Sequence, residues 1–399
     1  MAAIRPSLRP RALLRRPASL LRRYEHSTPD VTIERGGPVN VDRLCQVSRD
    51  FRNAQIESAF LATRGDDVYG EDPTTIELET RLARLTGKEA ALFCSSGTMT
   101  NQLGIRAHLQ GPPHSIICDH RAHIHLWEAG GIALFNQATT HALVPKGKFL
   151  TAKEVEKNLH LGNDHHIAPT RLICLENTMN GVIYPQEEVV RIGEAARKHN
   201  IPMHLDGARI WNVAADEVEA QHLDSSKEED IQAVMSNLLE PFDTASICLS
   251  KGIGAPIGSV LVGPQALVDR ARWFRKAFGG GWRQSGVLAG MADYAITNHF
   301  PRLARTHILA QRLAVGLQRH GLRILAPVDT NMVFFGGLDS QLVIDALAAL
   351  ASPILLDSNR CVIHHQTDAE AIDEFVSVVE QLVAEHGVSE PTEDEMLGY

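Results

Sequence analysis

From residue 74 to about residue 262 the chain alternates amphipathic helical stretches with short apolar runs, and this alternation constrains the fold more than any other feature. Thr74–Thr86 puts Ile76, Leu78, Leu82 and Leu85 on one helical face before Gly87 closes it. Six apolar runs follow, at Ala90–Cys94, Ser115–Cys118, Leu172–Leu175, Met203–Leu205, Ser246–Leu249 and Ser259–Val262, with helical stretches such as Glu187–Lys198 between several of them. Strands this short and this apolar are buried on both faces, which predicts an α/β fold with a largely parallel sheet covered by helices. Near Phe300 the pattern changes. A long helical stretch, Leu303–His320, is followed by Met332–Phe335, Leu342–Leu350 and a last helix, Glu370–His386, which together predict a smaller C-terminal α+β domain. A length of 399 residues accommodates two domains of ~100–200 residues each. The expected divisions are an N-terminal arm at 25–64, a large domain at 65–300 and a small one at 301–388. The acidic tail at 389–399 is expected to be disordered.

Hydrophobic residues make up 44% of the chain, but no uninterrupted apolar run approaches the ~20 residues of a membrane span, so a transmembrane helix is not expected. The six cysteines (45, 94, 118, 174, 248 and 361) are far apart and mostly in apolar runs, which predicts reduced core thiols and no paired metal ligands. The formal charge of −9 conceals an asymmetry: residues 1–24 hold seven arginines and no acid, so removing those seven charges leaves −16 on the remainder. An acidic body argues against nucleic acid as a partner. The basic, acid-free start reads as a mitochondrial transit peptide, or else as a basic tail on a cytoplasmic protein; Pro6, Pro10 and Pro17 weaken an amphipathic helix there.

Three short stretches carry candidate chemistry. Ser250-Lys251-Gly252 follows the run Ser246–Leu249. A lysine after a strand is ordinarily solvated, but apolar and glycine neighbours leave this one little polar surface, and ligands of open parallel sheets gather at the carboxyl ends of strands. His204-Leu205-Asp206-Gly207-Ala208-Arg209 likewise closes a strand. Its aspartate has a turn-forming alternative, yet a carboxylate there could also hold a protonated pyridine nitrogen, and a pyridoxal phosphate (PLP) site needs both that partner and a Schiff-base lysine. Ser95-Ser96-Gly97-Thr98 opens the helical stretch Met99–Leu109. It is either an ordinary N-cap or, beside the other two stretches, a phosphate cup made of helix N-terminal amides.

Together these motifs resemble the threonine aldolase family, of the low-specificity kind known from eukaryotes such as fungi, on the aspartate aminotransferase fold (PLP fold type I). The match covers roughly residues 65–385 and is most specific at Gly65–Thr74, His123–Gly131, Cys174–Gly181, His204–Asn212, Ser246–Val262 and Gly279–Gly286. The resemblance implies a large domain with a mainly parallel, seven-stranded type of sheet. It implies that Lys251 forms the covalent link to PLP, that Asp206 pairs with the ring nitrogen and that His123 stacks on the ring. Ser96, Gly97 and Thr98 would bind the phosphate with Arg283. Arg209 would contact cofactor or substrate, Arg360 would clamp the substrate carboxylate, and His166 would stand near the substrate hydroxyl. Tyr69 would reach a neighbouring subunit's site, which implies a homodimer or homotetramer; no metal is implied. The implied reaction cleaves L-threonine or L-allo-threonine to glycine and acetaldehyde. Alanine racemization, another amino-acid lyase reaction, or a catalytically impaired PLP-binding protein are the alternatives on the same scaffold.

The sequence departs from the family twice. Asp50-Phe51-Arg52 runs into Asn53-Ala54-Gln55 where the family carries a Ser-Asp-Thr segment that helps to bind substrate, and an acidic helical insertion is expected at Glu217–Glu240.

Overall fold

The computed structural model of the protein describes residues 49–390. The basic segment 1–24, the arm up to residue 48, Cys45 and the tail beyond residue 390 lie outside them.

Seven strands form the main sheet: β1 (Ala90–Cys94), β2 (Ser115–Asp119), β3 (Thr139–Leu143), β4 (Thr170–Glu176), β5 (Met203–Asp206), β6 (Thr244–Cys248) and β7 (Ser259–Gly263), in the order β1-β7-β6-β5-β4-β2-β3. The neighbours from β6 through β5, β4 and β2 to β3 are parallel, and β7 runs antiparallel to both β6 and β1. Six strands therefore point one way. Every residue of β1, β2, β5, β6 and β7 is buried, which is why these strands read as unbroken apolar runs. The edge strand β3, with the sequence Thr-Thr-His-Ala-Leu, is mostly half-buried and carries no such signal.

Helices cover both faces. The helix Pro73–Thr86 starts at Asp72, whose side chain accepts from the Thr75 amide (2.9 Å), and stops at Gly87 in the left-handed region (φ +65). Its buried face packs against the helices Glu228–Leu239 and Gly286–His299. The first of these lies in the acidic stretch expected to be an insertion. That stretch is built into the core, with Val218, Ile231, Val234, Met235, Leu238 and Leu239 all buried.

A second core surrounds the antiparallel strands β8 (Arg323–Ile324), β9 (Met332–Gly336) and β10 (Arg360–Val362), ordered β10-β9-β8, with the helices Leu303–Arg319, Ser340–Ala348 and Ala369–His386 against them. Cysteines 94, 118, 174, 248 and 361 are buried.

Candidate active site

Because β4, β5 and β6 are parallel neighbours, their carboxyl ends bring Glu176, Asp206 and the Ser250-Lys251-Gly252 turn to one side of the sheet, Glu176 and Asp206 being register partners. Asp206 is 2% exposed. Its Oδ2 accepts from Asn101 Nδ2 (2.8 Å) and its Oδ1 from the Ala208 amide (3.1 Å), so its orientation is fixed before anything binds.

Asn101 is held in turn. Its Oδ1 lies 3.1 Å from His204 Nε2, His204 Nδ1 lies 2.8 Å from the Thr244 hydroxyl, and His108 Nε2 lies 2.9 Å from the same hydroxyl. Burial pushes the His204 ring down to about 3, which keeps it neutral. A neutral imidazole has one N–H, so Nε2 donates to the Asn101 carbonyl and Nδ1 accepts the Thr244 hydroxyl proton; that oxygen then accepts from His108. A chain of fixed direction thus runs from His108 to Asp206.

The Asn101 amide also donates to Glu128 Oε1 (2.8 Å), and Gln102 Nε2 donates to Glu128 Oε2 (2.6 Å). His123 Nδ1 approaches the same buried Glu128 (3.1 Å), while its backbone amide donates to Glu176 Oε2 (2.7 Å). With Nδ1–H given to Glu128, Nε2 is the ring's remaining proton site. The hydrogen bond to Glu128 raises the His123 pKa above its ordinary value against the opposing effect of burial. The ligating atoms of His123, Glu128 and Asp206 lie within 4.8 Å of one another, and amide donors already draw the two carboxylates together.

Electrostatic reach defines the rest of the cluster. Burial and then the neighbouring Arg209 lower the Lys251 pKa, against Asp206, Cys248 and Glu176. Burial, then Arg360, lowers that of Arg209. Burial, then Asp206, pushes Glu176 up to about 8, so it is mainly protonated at neutral pH. Arg360 on β10 thereby joins the second core to Arg209 and Lys251.

The helix Gly97–His108 begins beyond β1. Ser96 caps it by accepting from the Met99 amide (3.2 Å), and the first amides of a helix have no intrahelical partner, so those of Gly97 and Thr98 can meet an anion. Ser259 Oγ is buried without a protein partner, and a Cβ on Gly97 would lie 3.7 Å from it. An orphaned hydroxyl under the turn, an oriented carboxylate and a half-buried lysine fit PLP. Arg283 pairs with Asp66, and Gly280 in its loop packs against Met99 in the first turn of the same helix.

Among the described residues no hydrogen bond or ion pair ties His166 or Tyr69 to this cluster. The His166 side chain is 94% exposed with Nδ1 2.8 Å from Asp164, and Tyr69 is 72% exposed on the turn Asp67–Tyr69. Asn101, Gln102, Glu128 and Glu176 were not singled out by the sequence, although Glu128 and Glu176 sit inside two of its specific stretches. A further set joins the buried Asp67, Glu79 and Arg275 to the half-buried Arg272. Arg275 donates to Asp67 Oδ2 (2.6 Å) and to the Phe93 carbonyl (2.6 Å), while Glu79 accepts from the Phe93 amide (2.8 Å) and Arg272 (2.9 Å). These bonds brace β1 just before the phosphate turn.

This strand order, with a lysine beyond β6, an aspartate closing β5 and a capped helix beyond β1, defines the fold-type-I class of PLP-dependent enzymes. The chain belongs to the beta-eliminating lyase family, whose model matches residues 42–336. It is 42% identical over 323 residues to the low-specificity L-threonine aldolase of Saccharomyces cerevisiae, covering 80% of each chain. With that of Candida albicans it shares 41% over 340 residues, covering 84% of this chain and 87% of the relative. Its fold matches the threonine aldolase of Leishmania major (TM-score 0.70, 21% identity, 86% of this chain and 98% of the other). It also matches a serine palmitoyltransferase of S. paucimobilis with a bound PLP-myriocin aldimine (TM-score 0.64, 19% identity, 85% and 84%).

Proposed function

We propose that the protein is a PLP-dependent aldehyde lyase that cleaves L-threonine and L-allo-threonine to glycine and acetaldehyde. The observation that carries this reading is the convergence of Lys251, Asp206, His123, Arg209 and Arg360 beyond the carboxyl ends of the parallel strands, in a chain 39–45% identical to fungal low-specificity L-threonine aldolases.

Lys251 would hold the cofactor covalently, Asp206 its ring nitrogen, and Ser96, Gly97 and Thr98 its phosphate. When bound, PLP supplies an electron sink for bonds at the α-carbon of an amino acid. The chain's own residues do the rest. Burial and Arg209 favour the uncharged amine of Lys251, the form that can attack a carbonyl. Two arginines, 209 and 360, offer charge-assisted bonds to the substrate carboxylate. His123, its Nδ1–H fixed on Glu128, takes the β-hydroxyl proton at Nε2 as the Cα–Cβ bond breaks. The Asn101 chain keeps Asp206 aimed throughout.

We further propose a homo-oligomer with shared sites. Tyr69 and Trp273 are strongly exposed aromatics with no partner role in their own chain's cluster. The arginine-rich residues 1–24 support a mitochondrial address, checked by sequencing the N-terminus of protein from its native cells.

A substrate panel on purified protein with PLP tests the main reading. Acetaldehyde from L-threonine or L-allo-threonine is expected. Interconversion of alanine enantiomers would replace the aldolase by a racemase, and cofactor absorbance without any turnover would leave an impaired PLP-binding protein.

A further inference from the structure

The loop that carries Lys251 offers four consecutive backbone carbonyls, and side chains from three separate parts of the chain meet them, the Lys251 carbonyl also accepting from the Gly254 amide (3.0 Å). The His364 ring bonds the Lys251 backbone, and because that contact favours the protonated ring, its partner there is the carbonyl. His365 Nδ1 reaches the Gly252 carbonyl (3.4 Å), His299 Nδ1 the Ile253 carbonyl (2.6 Å) and Gln55 Nε2 the Gly254 carbonyl (3.1 Å). The three rings stack: His299 and His365 centroids are 4.2 Å apart, and those of His364 and His365 3.9 Å. Gly254 is left-handed (φ +74), and a Cβ there would lie 2.8 Å from His365 and 3.2 Å from His364, so glycine lets the loop close against them.

Outside a helix or sheet the Gly252, Ile253 and Gly254 carbonyls depend on side chains for partners, and a loop that leaves such groups unmet inside the protein is destabilised. The groups that meet them come from the helix Gly286–His299, the segment after β10 and the helix Arg49–Leu61. We propose that His299, His364 and His365 are positioning residues, an imidazole clamp that fixes the Lys251 loop and through it the placement of the lysine amine. The segment after β10 is continuous with Arg360, so the clamp also links the lysine to the strand that carries the substrate-facing arginine. Hydrogen-bonding to carbonyls requires these rings to donate. Burial lowers the pKa of His299, His364 (to about 4) and His365 (to about 2), and the rings also disfavour one another's charge; Arg302 is the cation facing them. The clamp therefore operates with neutral rings.

The proposal builds on Lys251 as the cofactor-bearing residue, but its test does not require threonine turnover. The ring nitrogen in use differs by position, so the rescuing amide should differ too. His365→Phe keeps volume and removes the donor; His365→Asn restores a donor at the Nδ1 position, and His365→Gln does not. His364 uses its other nitrogen, so Gln should rescue there and Asn should not. Two quantities are read on the PLP-loaded protein without substrate: hydrogen exchange of the Gly254 and Ala255 amides, which close the loop onto Lys251 and Leu249, and the pH midpoint of the lysine-linked cofactor absorbance. His365→Phe should speed that exchange at least tenfold, leave exchange in β1–β6 unchanged and shift the absorbance midpoint. His365→Asn should restore both. Where threonine is turned over, kcat should fall with little change in KM. Unaltered loop exchange and midpoint in His365→Phe, or equal rescue by Asn and Gln at both positions, overturns the clamp. The expected exchange and absorbance pattern without threonine cleavage would instead overturn the aldolase reading and leave the clamp standing.

Discussion

Glu128 collects three donors, from Asn101, Gln102 and His123, and is itself buried. Its effect on His123 decides a pH dependence. If His123 Nε2 takes the substrate proton, the base form must be present, so activity rises with pH through the His123 midpoint. The hydrogen bond to Glu128 holds that midpoint above the ordinary value of 6.5. In Glu128→Gln the charge is gone while burial still disfavours the protonated ring, so the acid limb of kcat/KM should move to lower pH. A limb that stays in place, measured over pH 5.5–9 with a cofactor-saturated enzyme, would show that another group sets it. At this scale the sequence was partly legible. Lys251 and Asp206 announce themselves because they close strands among glycines, whereas His123 and the role of Arg209 follow only from the family resemblance. Asn101 does not, since an asparagine one turn into a helix has many innocuous explanations. Only the structure brings its amide between two carboxylates.

Elements transmit such placements. The helix Gly97–His108 carries the phosphate turn at its start, Asn101 and Gln102 in its next turn, and Gly104 where it crosses the sheet. A Cβ on Gly104 would lie 2.4 Å from His204 Cε1, and that ring is pinned by bonds to Thr244 and Asn101. Overpacking of ~1–3 kcal/mol therefore outweighs the ~1 kcal/mol that alanine gains in helix propensity. Gly104→Ala should lower stability by up to about 2 kcal/mol and weaken PLP binding, as read by denaturant melts and cofactor titration; unchanged cofactor affinity would mean that the helix does not move as a body. Elements also separate what pattern reading sees from what it misses. Buried strands were legible from their apolar runs, and β3 was not, because an edge strand need not be apolar. The stretch Glu217–Glu240 read as an acidic insertion because charges dominate its exposed faces; its buried positions, Ile231, Val234, Met235, Leu238 and Leu239, recur at helical spacing and belong to the main core. At the N-terminal side, the helix Arg49–Leu61 runs through Asp50-Phe51-Arg52 without a break, and Ser58 donates to the Gly290 carbonyl (2.8 Å). The hydroxyl and amide donors of a family-like Ser-Asp-Thr segment are not in that helix, and each such bond contributes ~0.5–1.5 kcal/mol net. Losing one or two predicts threonine binding weaker by about two- to a hundredfold at normal PLP occupancy. Inserting the segment after Arg52 should lower KM, and a low KM in the natural chain would refute this.

Over the whole molecule, the largest electrostatic commitment is the burial of neutral histidines. Burial, with neighbouring cations or rings in some cases, pushes His204 down to about 3, His108, His307 and His364 to about 4, and His365 to about 2. Unfolded, each would titrate near 6.5. For a base whose folded pKa is depressed, the unfolded chain binds the extra proton, so stability is complete above about pH 6.5 and is lost as pH falls from there toward 4. Two buried carboxyls act in the opposite sense: Glu176, raised to about 8, and Glu79, raised chiefly by burial, bind protons more readily in the fold than in the unfolded chain. The five imidazole protons outnumber those of the carboxyls, and at about 1.4 kcal/mol per proton they leave a slope of a few kcal/mol per pH unit at its steepest. Against a total stability of ~5–15 kcal/mol, such a slope exhausts the fold within a few pH units. The cofactor-free protein should therefore lose most of its urea resistance between pH 6.5 and 4.5. His307, whose Nε2 faces Asn212 Oδ1 (3.2 Å), provides a test. His307→Gln keeps a donor for that oxygen and removes one proton from the balance, so it should flatten the dependence of stability on pH. A urea midpoint that is level from pH 6.5 to 5, or a His307→Gln protein as acid-sensitive as its parent, would show that these imidazoles take up protons in the folded state.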